Sequence, residues 1–161
     1  MSEMEEAKQG GSPRALVAGL MALLGGVFFA VLLGDDVENF TGSEWADLPT
    51  ALIVRYLVAM ALGGALAGWL LAGMFGRGGI GGWAFAAIGG VLATCCAGLF
   101  GSAVGLLPDL LANGWQMADL IPILFGLLVV PLAMAARPFL ALGWVVLIVV
   151  THLLAKRRRG G

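Results

Sequence analysis

The stretch from 50 to 76, TALIVRYLVAMALGGALAGWLLAGMFG, decides what kind of protein this is. Arg55 is its only charged residue. Wound as a helix at about 1.5 Å per residue, the run is about 40 Å long, more than a hydrocarbon core of roughly 30 Å. A helix satisfies every backbone N–H and C=O within the segment, which lipid demands of anything that crosses it.

Comparable apolar runs lie on both sides, at Ala15–Gly34 upstream and at Trp83–Leu107, Leu120–Ala136 and Phe139–Ala155 downstream. The 161-residue chain is 60% hydrophobic and 12% charged, with a mean hydropathy of +0.98, values outside the range of soluble domains. Short alternating strands, the mark of a membrane barrel, are missing from it. The expected fold is an all-α integral membrane protein, a bundle of about five hydrophobic helices in a single domain over 15–155. Residues 1–14, MSEMEEAKQGGSPR, read as a flexible cytoplasmic tail, and 156–161 as a short basic one. The first run is longer than a signal-peptide core and has no small-x-small cleavage pattern, so it reads as a retained helix.

Charge placement sets the expected topology. The segment DDVENFTGSEWADLP, 35–49, carries five acids and no base, whereas Lys8, Arg14, Arg77 and Lys156–Arg159 are basic and fall in other connections. If both termini lie on the cytoplasmic side, all those bases share one face and the acidic loop takes the other, as the positive-inside rule favours. That requires an even number of crossings. The last two runs, joined at Arg137-Pro138, would reach about 55 Å as one straight helix, so a break falls there. Four crossings are therefore expected, with one C-terminal segment re-entrant or steeply tilted, as Pro122 and Pro131 allow. The segment after Pro108, PDLLANGWQMAD, is expected to lie along the interface.

Small residues recur at every fourth position: Ala18, Ala22, Gly26, Ala30 and Gly34 in the first helix, Gly64, Gly68, Ala72 and Gly76 in the second, and Gly90, Thr94, Gly98 and Ser102 in the third. Such ridges let helix backbones approach closely. The C-terminal runs, rich in Leu, Val and Ile, lack a comparable ridge and are expected to face lipid or a partner. The second and third helices share a local pattern, ALGGALAGWLLAGMFG beside AIGGVLATCCAGLFG. It fits either an internal duplication or the chance self-similarity of a Gly/Ala/Leu-rich chain.

Polar groups at membrane depth are few. Arg55 fits a substrate or anion contact or, more simply, a snorkelling anchor paired with Glu44 or Asp47. Arg137 marks either a turn or the broken point of a re-entrant helix. His152, one turn before the basic tail, fits an interfacial anchor better than a proton relay. Asp109 and Asp119 read as helix caps or solvated acids. Cys95 and Cys96 are adjacent, too strained to pair and without metal-ligand spacing, so they read as reduced packing residues. No triad, paired catalytic carboxylates, HExxH or nucleotide fingerprint is present, and GRGGIGG lacks the Lys-Ser/Thr of a phosphate loop. No enzyme activity, cofactor or metal is expected. The expected partners are the bilayer and either another membrane protein or a second copy, not nucleic acid. Two functional classes fit: an accessory subunit of an inner-membrane complex, or a small homo-oligomeric transporter using Arg55 and Arg137. Cysteines introduced singly at residues 10 and 161 should react with an impermeant thiol reagent from the same side of the membrane; labelling from opposite sides would rule out an even number of crossings.

Overall fold

The computed structural model describes residues 12–36 and 50–160, so the expected partners of Arg55 in the acidic loop lie outside the described residues. The protein is an all-α bundle. Five helices run along the chain: α1 Pro13–Asp36, α2 Thr50–Leu71, α3 Gly79–Asn113, α4 Leu120–Ala136 and α5 Pro138–Gly160. Each is long and apolar enough to cross a membrane, α4 when counted with the 3₁₀ turn Met117–Asp119 before it. A second 3₁₀ turn, Ala72–Met74, follows α2.

Local chemistry accounts for most of the boundaries. Ser12 Oγ accepts from the Ala15 N–H at 3.2 Å, and Pro13 occupies the first helical position, where a missing N–H costs nothing. Between α4 and α5, Arg137 is extended at φ −133, ψ 96, the backbone that a residue before proline prefers, and Pro138 opens the next helix. Two expectations are corrected. The third helix does not end at Leu107 but passes Pro108 and reaches Asn113, where Gly114 at φ 76 donates to the Leu110 carbonyl. Pro108 removes one hydrogen bond near the helix end, and the helix continues past that loss. The last helix also runs beyond Ala155 through Lys156–Arg159 to Gly160, because Lys and Arg are good helix formers and cations suit a helix C-terminus.

Contacts trace the path of the chain. Val17 and Met21 of α1 lie against Gly68 and Gly64 of α2, while Phe29 stacks on Tyr56, so α1 and α2 form an antiparallel pair. Tyr56 lies against Gly105, Met60 against Gly101, and Phe75 against Gly89, so α3 runs antiparallel to α2. On α5, Trp144 reaches Thr94, Ile148 reaches Gly90 and His152 reaches Trp83, which brings the chain back to the end where α1 began. The helix between them does not make that return. It begins beyond the end of α3, and its last residues, Ala133 and Ala136, share a cavity wall with Phe29 and Leu33 near the far end of α1. Both described chain ends therefore lie at one end of the bundle, called here the basic end because Arg14, Arg77 and Lys156–Arg159 gather there.

Glycine decides how closely these helices meet. A Cβ at Gly64 would overlap the Met21 carbonyl, one at Gly25 the Met60 carbonyl, and one at Gly98 the Gly126 carbonyl. On α1 the tight contact falls on Met21 and Gly25, one residue away from the expected ridge. Gly26 makes only ordinary contact with Ala61, and Ala22, Gly26 and Ala30 border a shallow apolar groove with Leu57 and Ala61. On α2, Gly64 and Gly68 admit α1 while Gly63 admits Phe100 and Ala97 of α3. Helix α3 is two-sided in the same way. Ala97, Gly101 and Gly105 face α2, whereas Gly90, Thr94, Gly98 and Ser102 receive α4 and α5. The expectation that the C-terminal helices face outward therefore holds for most of α4, where Gly126 and Val130 are buried, but for one side of α5 only, since Leu140, Ile148, Thr151, His152 and Ala155 are buried.

Gly68→Leu should lower the thermal midpoint in detergent, because the added side chain meets Met21 and the Val17 carbonyl, at a cost of about 1–3 kcal/mol. Val146→Leu, on a residue 52% exposed, should leave it within experimental scatter; equal midpoints would contradict the packing described.

Candidate functional site

The polar side chains form three groups, and the most constrained stands at the basic end. After α2 the chain turns through Phe75, Gly76, Arg77, Gly78 and Gly79. Gly76 is at φ +77, the left-handed region, and a Cβ there would also run into the Ala155–Lys156 peptide, so glycine is needed twice over. That closeness lets the Gly76 N–H donate to His152 Nδ1 at 3.3 Å. His152 is 0% exposed and its ring stacks on Trp83, with centroids 4.3 Å apart and planes inclined by 29°. Because Nδ1 accepts, the ring proton sits on Nε2, which is buried with no partner among the described residues.

Around this joint, cations close the end of α2. The last carbonyls of a helix lack intrahelical donors and carry its negative dipole end. Arg159 donates to the Ala72 carbonyl at 2.7 Å, and Arg77 Nε donates to the Gly73 carbonyl at 2.8 Å. The Arg77 guanidinium also lies 4.7 Å from the centroid of the Phe85 ring, a cation–π distance. A residue of the last helix and one of the turn thus cap the same helix terminus, and the expected interfacial anchor His152 instead lies wholly inside the protein.

The second group is deep in the bundle. Trp144 Nε1 donates to Thr94 Oγ1 at 2.9 Å, and that hydroxyl donates to the Gly90 carbonyl at 2.8 Å. Thr151 donates to the Leu147 carbonyl at 2.7 Å. The side-chain donors of this Trp144–Thr94–Gly90 relay are all paired, and it ties α5 to α3.

The third group lies toward the opposite end. Tyr56 stacks on Phe29 at 5.9 Å, and the Arg55 guanidinium lies 5.9 Å from the Tyr56 ring centroid. Arg55 Nε is buried and unpartnered among the described residues. Two adjoining cavities share Phe29, Met60 and Val129; one of about 310 Å³ includes Arg137, and one of about 180 Å³ includes Tyr56 and Ser102. Arg137 thus lines a cavity, whereas Arg55 stands behind Tyr56 and lines neither.

Of the small residues expected in packing, Gly64, Gly68, Ala72, Gly90, Thr94 and Gly98 are buried. Cys95 is half-buried, Cys96 exposed, and both are free. Asp119 caps the turn before α4, accepting from the Gln116 N–H at 2.8 Å. Among the described residues no three His, Cys, Asp or Glu side chains converge on a metal-binding geometry. The joint at Gly76 draws its partners from three separate elements, and its sequence signals are only the adjacent glycines and the single histidine.

His152→Ala should lower stability in detergent by about 2–4 kcal/mol, since it opens a cavity beside Trp83 and leaves the Gly76 N–H unpaired. Arg159→Gln should cost on the order of 1 kcal/mol by weakening the cap on α2. Thermal unfolding of both variants measures the order, and a milder effect at His152 would contradict the geometry. No protein family, curated protein or solved structure matches the chain, so its functional reading stands on these residues alone.

Proposed function

We propose that this multi-pass membrane protein is a structural, assembly or accessory subunit of a larger membrane complex, in the inner membrane of a bacterium, and that it has no catalytic activity. The observation carrying this reading is the position of α4. Only Gly126 and Val130 of that helix are buried, while Ile121, Leu124, Phe125, Leu128 and Leu132 project outward. The helix is held on one side by the Gly98–Gly126 approach and by Ser102, leaving a broad apolar face for another transmembrane helix. Meanwhile the polar side chains at the joint and on Thr94 and Trp144 are occupied with internal contacts rather than converging on a space a substrate could enter.

A second reading, a small homo-oligomeric transporter or channel, is favoured by the two adjoining cavities, one of them lined by Arg137, and by the Nε of Arg55, which has no partner among the described residues. In it those two arginines would attract an anion. The accessory reading is preferred because both cavities are walled mainly by apolar residues, Phe29, Met60 and Val129 common to the two, and Arg55 does not open into either.

Purification of the full chain in mild detergent, followed by native sizing and mass spectrometry, separates the two. A subunit should carry a stoichiometric membrane partner that is lost in Phe125→Ala/Leu128→Ala without a change in thermal midpoint, and retained in Arg55→Ala. A transporter should purify as a homo-oligomer whose anion flux in vesicles falls at least tenfold in Arg55→Ala, and that result would displace the first reading.

A further inference from the structure

Positive charge is concentrated at one end of this bundle. Of the eight described basic residues, six, Arg14, Arg77 and Lys156–Arg159, gather there, while Arg55 and Arg137 stand toward the other end with the acids Asp109 and Asp119. The basic residues do not share one role. Arg159 and Arg77 are committed to the carbonyls of Ala72 and Gly73. Lys156 and Arg157 instead line an open groove of about 640 Å³ with Leu153 and Gly160.

Below that groove the outward side of α5 continues as a stripe. Leu142, Val146, Val150 and Leu153 are exposed and follow one another at spacings of four, four and three residues, so they share a helix face with Arg157. From Leu142 to Leu153 the stripe is about 16 Å long, which matches half of a hydrocarbon core of roughly 30 Å. The opposite face carries Leu140, Ile148, His152 and Ala155 into the bundle, so among the described residues nothing covers the stripe.

We propose that Lys156 and Arg157, above the stripe Leu142–Val146–Val150–Leu153, seat one anionic phospholipid: its phosphate between the two cations, one acyl chain along the stripe. The matching lengths assign the apolar part to a single leaflet, and the two cations supply the charge complementarity. Arg159 fixes the height of the site, because its bond to the Ala72 carbonyl holds the last turn of α5 against the end of α2. The site is independent of any partner on α4.

The test is native mass spectrometry of the full chain in mild detergent, offered phosphatidylglycerol and phosphatidylcholine of equal chain length. Retention of phosphatidylglycerol should exceed that of phosphatidylcholine by roughly 30-fold, the preference two near-surface cations provide. Lys156→Gln/Arg157→Gln should abolish that preference with the thermal midpoint unchanged. Arg14→Gln, which removes one charge from the same end but not from the groove, should keep it, whereas Arg157→Gln alone should reduce it about fivefold. Equal losses in Arg14→Gln and Arg157→Gln would mean diffuse attraction to the whole basic end and would overturn the site. Displacement of phosphatidylglycerol by millimolar inorganic phosphate would make it a free-anion site, and would equally overturn the seating of an acyl chain.

Discussion

The approach of α3 to its neighbours at backbone distance is the constraint on which the rest of this structure depends. Lipid offers no hydrophobic gain for bringing helices together, so contact must come from dispersion and from carbonyls meeting Cα groups at close range. Gly98 against Gly126, Gly101 against Met60 and Gly63 against Phe100 supply it. Each needs the absence of a side chain at one position, and α3 offers this on two faces at once. It therefore serves as the post around which α2, α4 and α5 are arranged.

Polar groups then act as fasteners at places where glycine alone gives no direction. Thr94 orients Trp144, and so fixes how α5 is rotated about its axis. His152 and Arg159 fix its height, by reading a backbone N–H and a carbonyl at the end of α2. Fasteners of this kind have few alternatives in lipid, because an unmatched donor has no water to turn to. The buried Nε2 of His152 is the exception among them, held in place by stacking on Trp83 and by its second nitrogen.

Much of the architecture was legible in the residues. Run lengths mark the helices, Arg137-Pro138 marks the break, and the distribution of Lys and Arg anticipates that both described ends lie together. The positions of Gly64, Gly68, Gly90 and Gly98 were legible as small, though not which neighbour each one admits. On α1 the four-residue period picks out Ala22, Gly26 and Ala30, while the close contact falls at Gly25, because the contacting row Val17, Met21, Gly25 and Phe29 holds one small residue among large ones, and the small side chains it needs at the other levels are supplied by Gly64 and Gly68 of α2. Passage of α3 through Pro108 was hidden for a related reason: proline removes a single hydrogen bond, and whether the helix stops there depends on the turns that follow. The joint at Gly76 could not be read at all, since it unites residues far apart in sequence through atoms of the main chain.

That separation bears on the order in which the molecule is put together. The Gly76–His152 and Ala72–Arg159 bonds close loops of 76 and 87 residues, so they form only after nearly the whole described chain has been made. The Ala72 carbonyl accepts from the Phe75 N–H as well as from Arg159, so the guanidinium adds a second, long-range donor at that terminus. The glycine-packed helices α1, α2 and α3 precede α5 in the chain, and α5 acts as a latch on the end of α2. Both bonds therefore tie the turn after α2 to a helix made much later, so the end of α2 reaches its finished form only in the presence of α5.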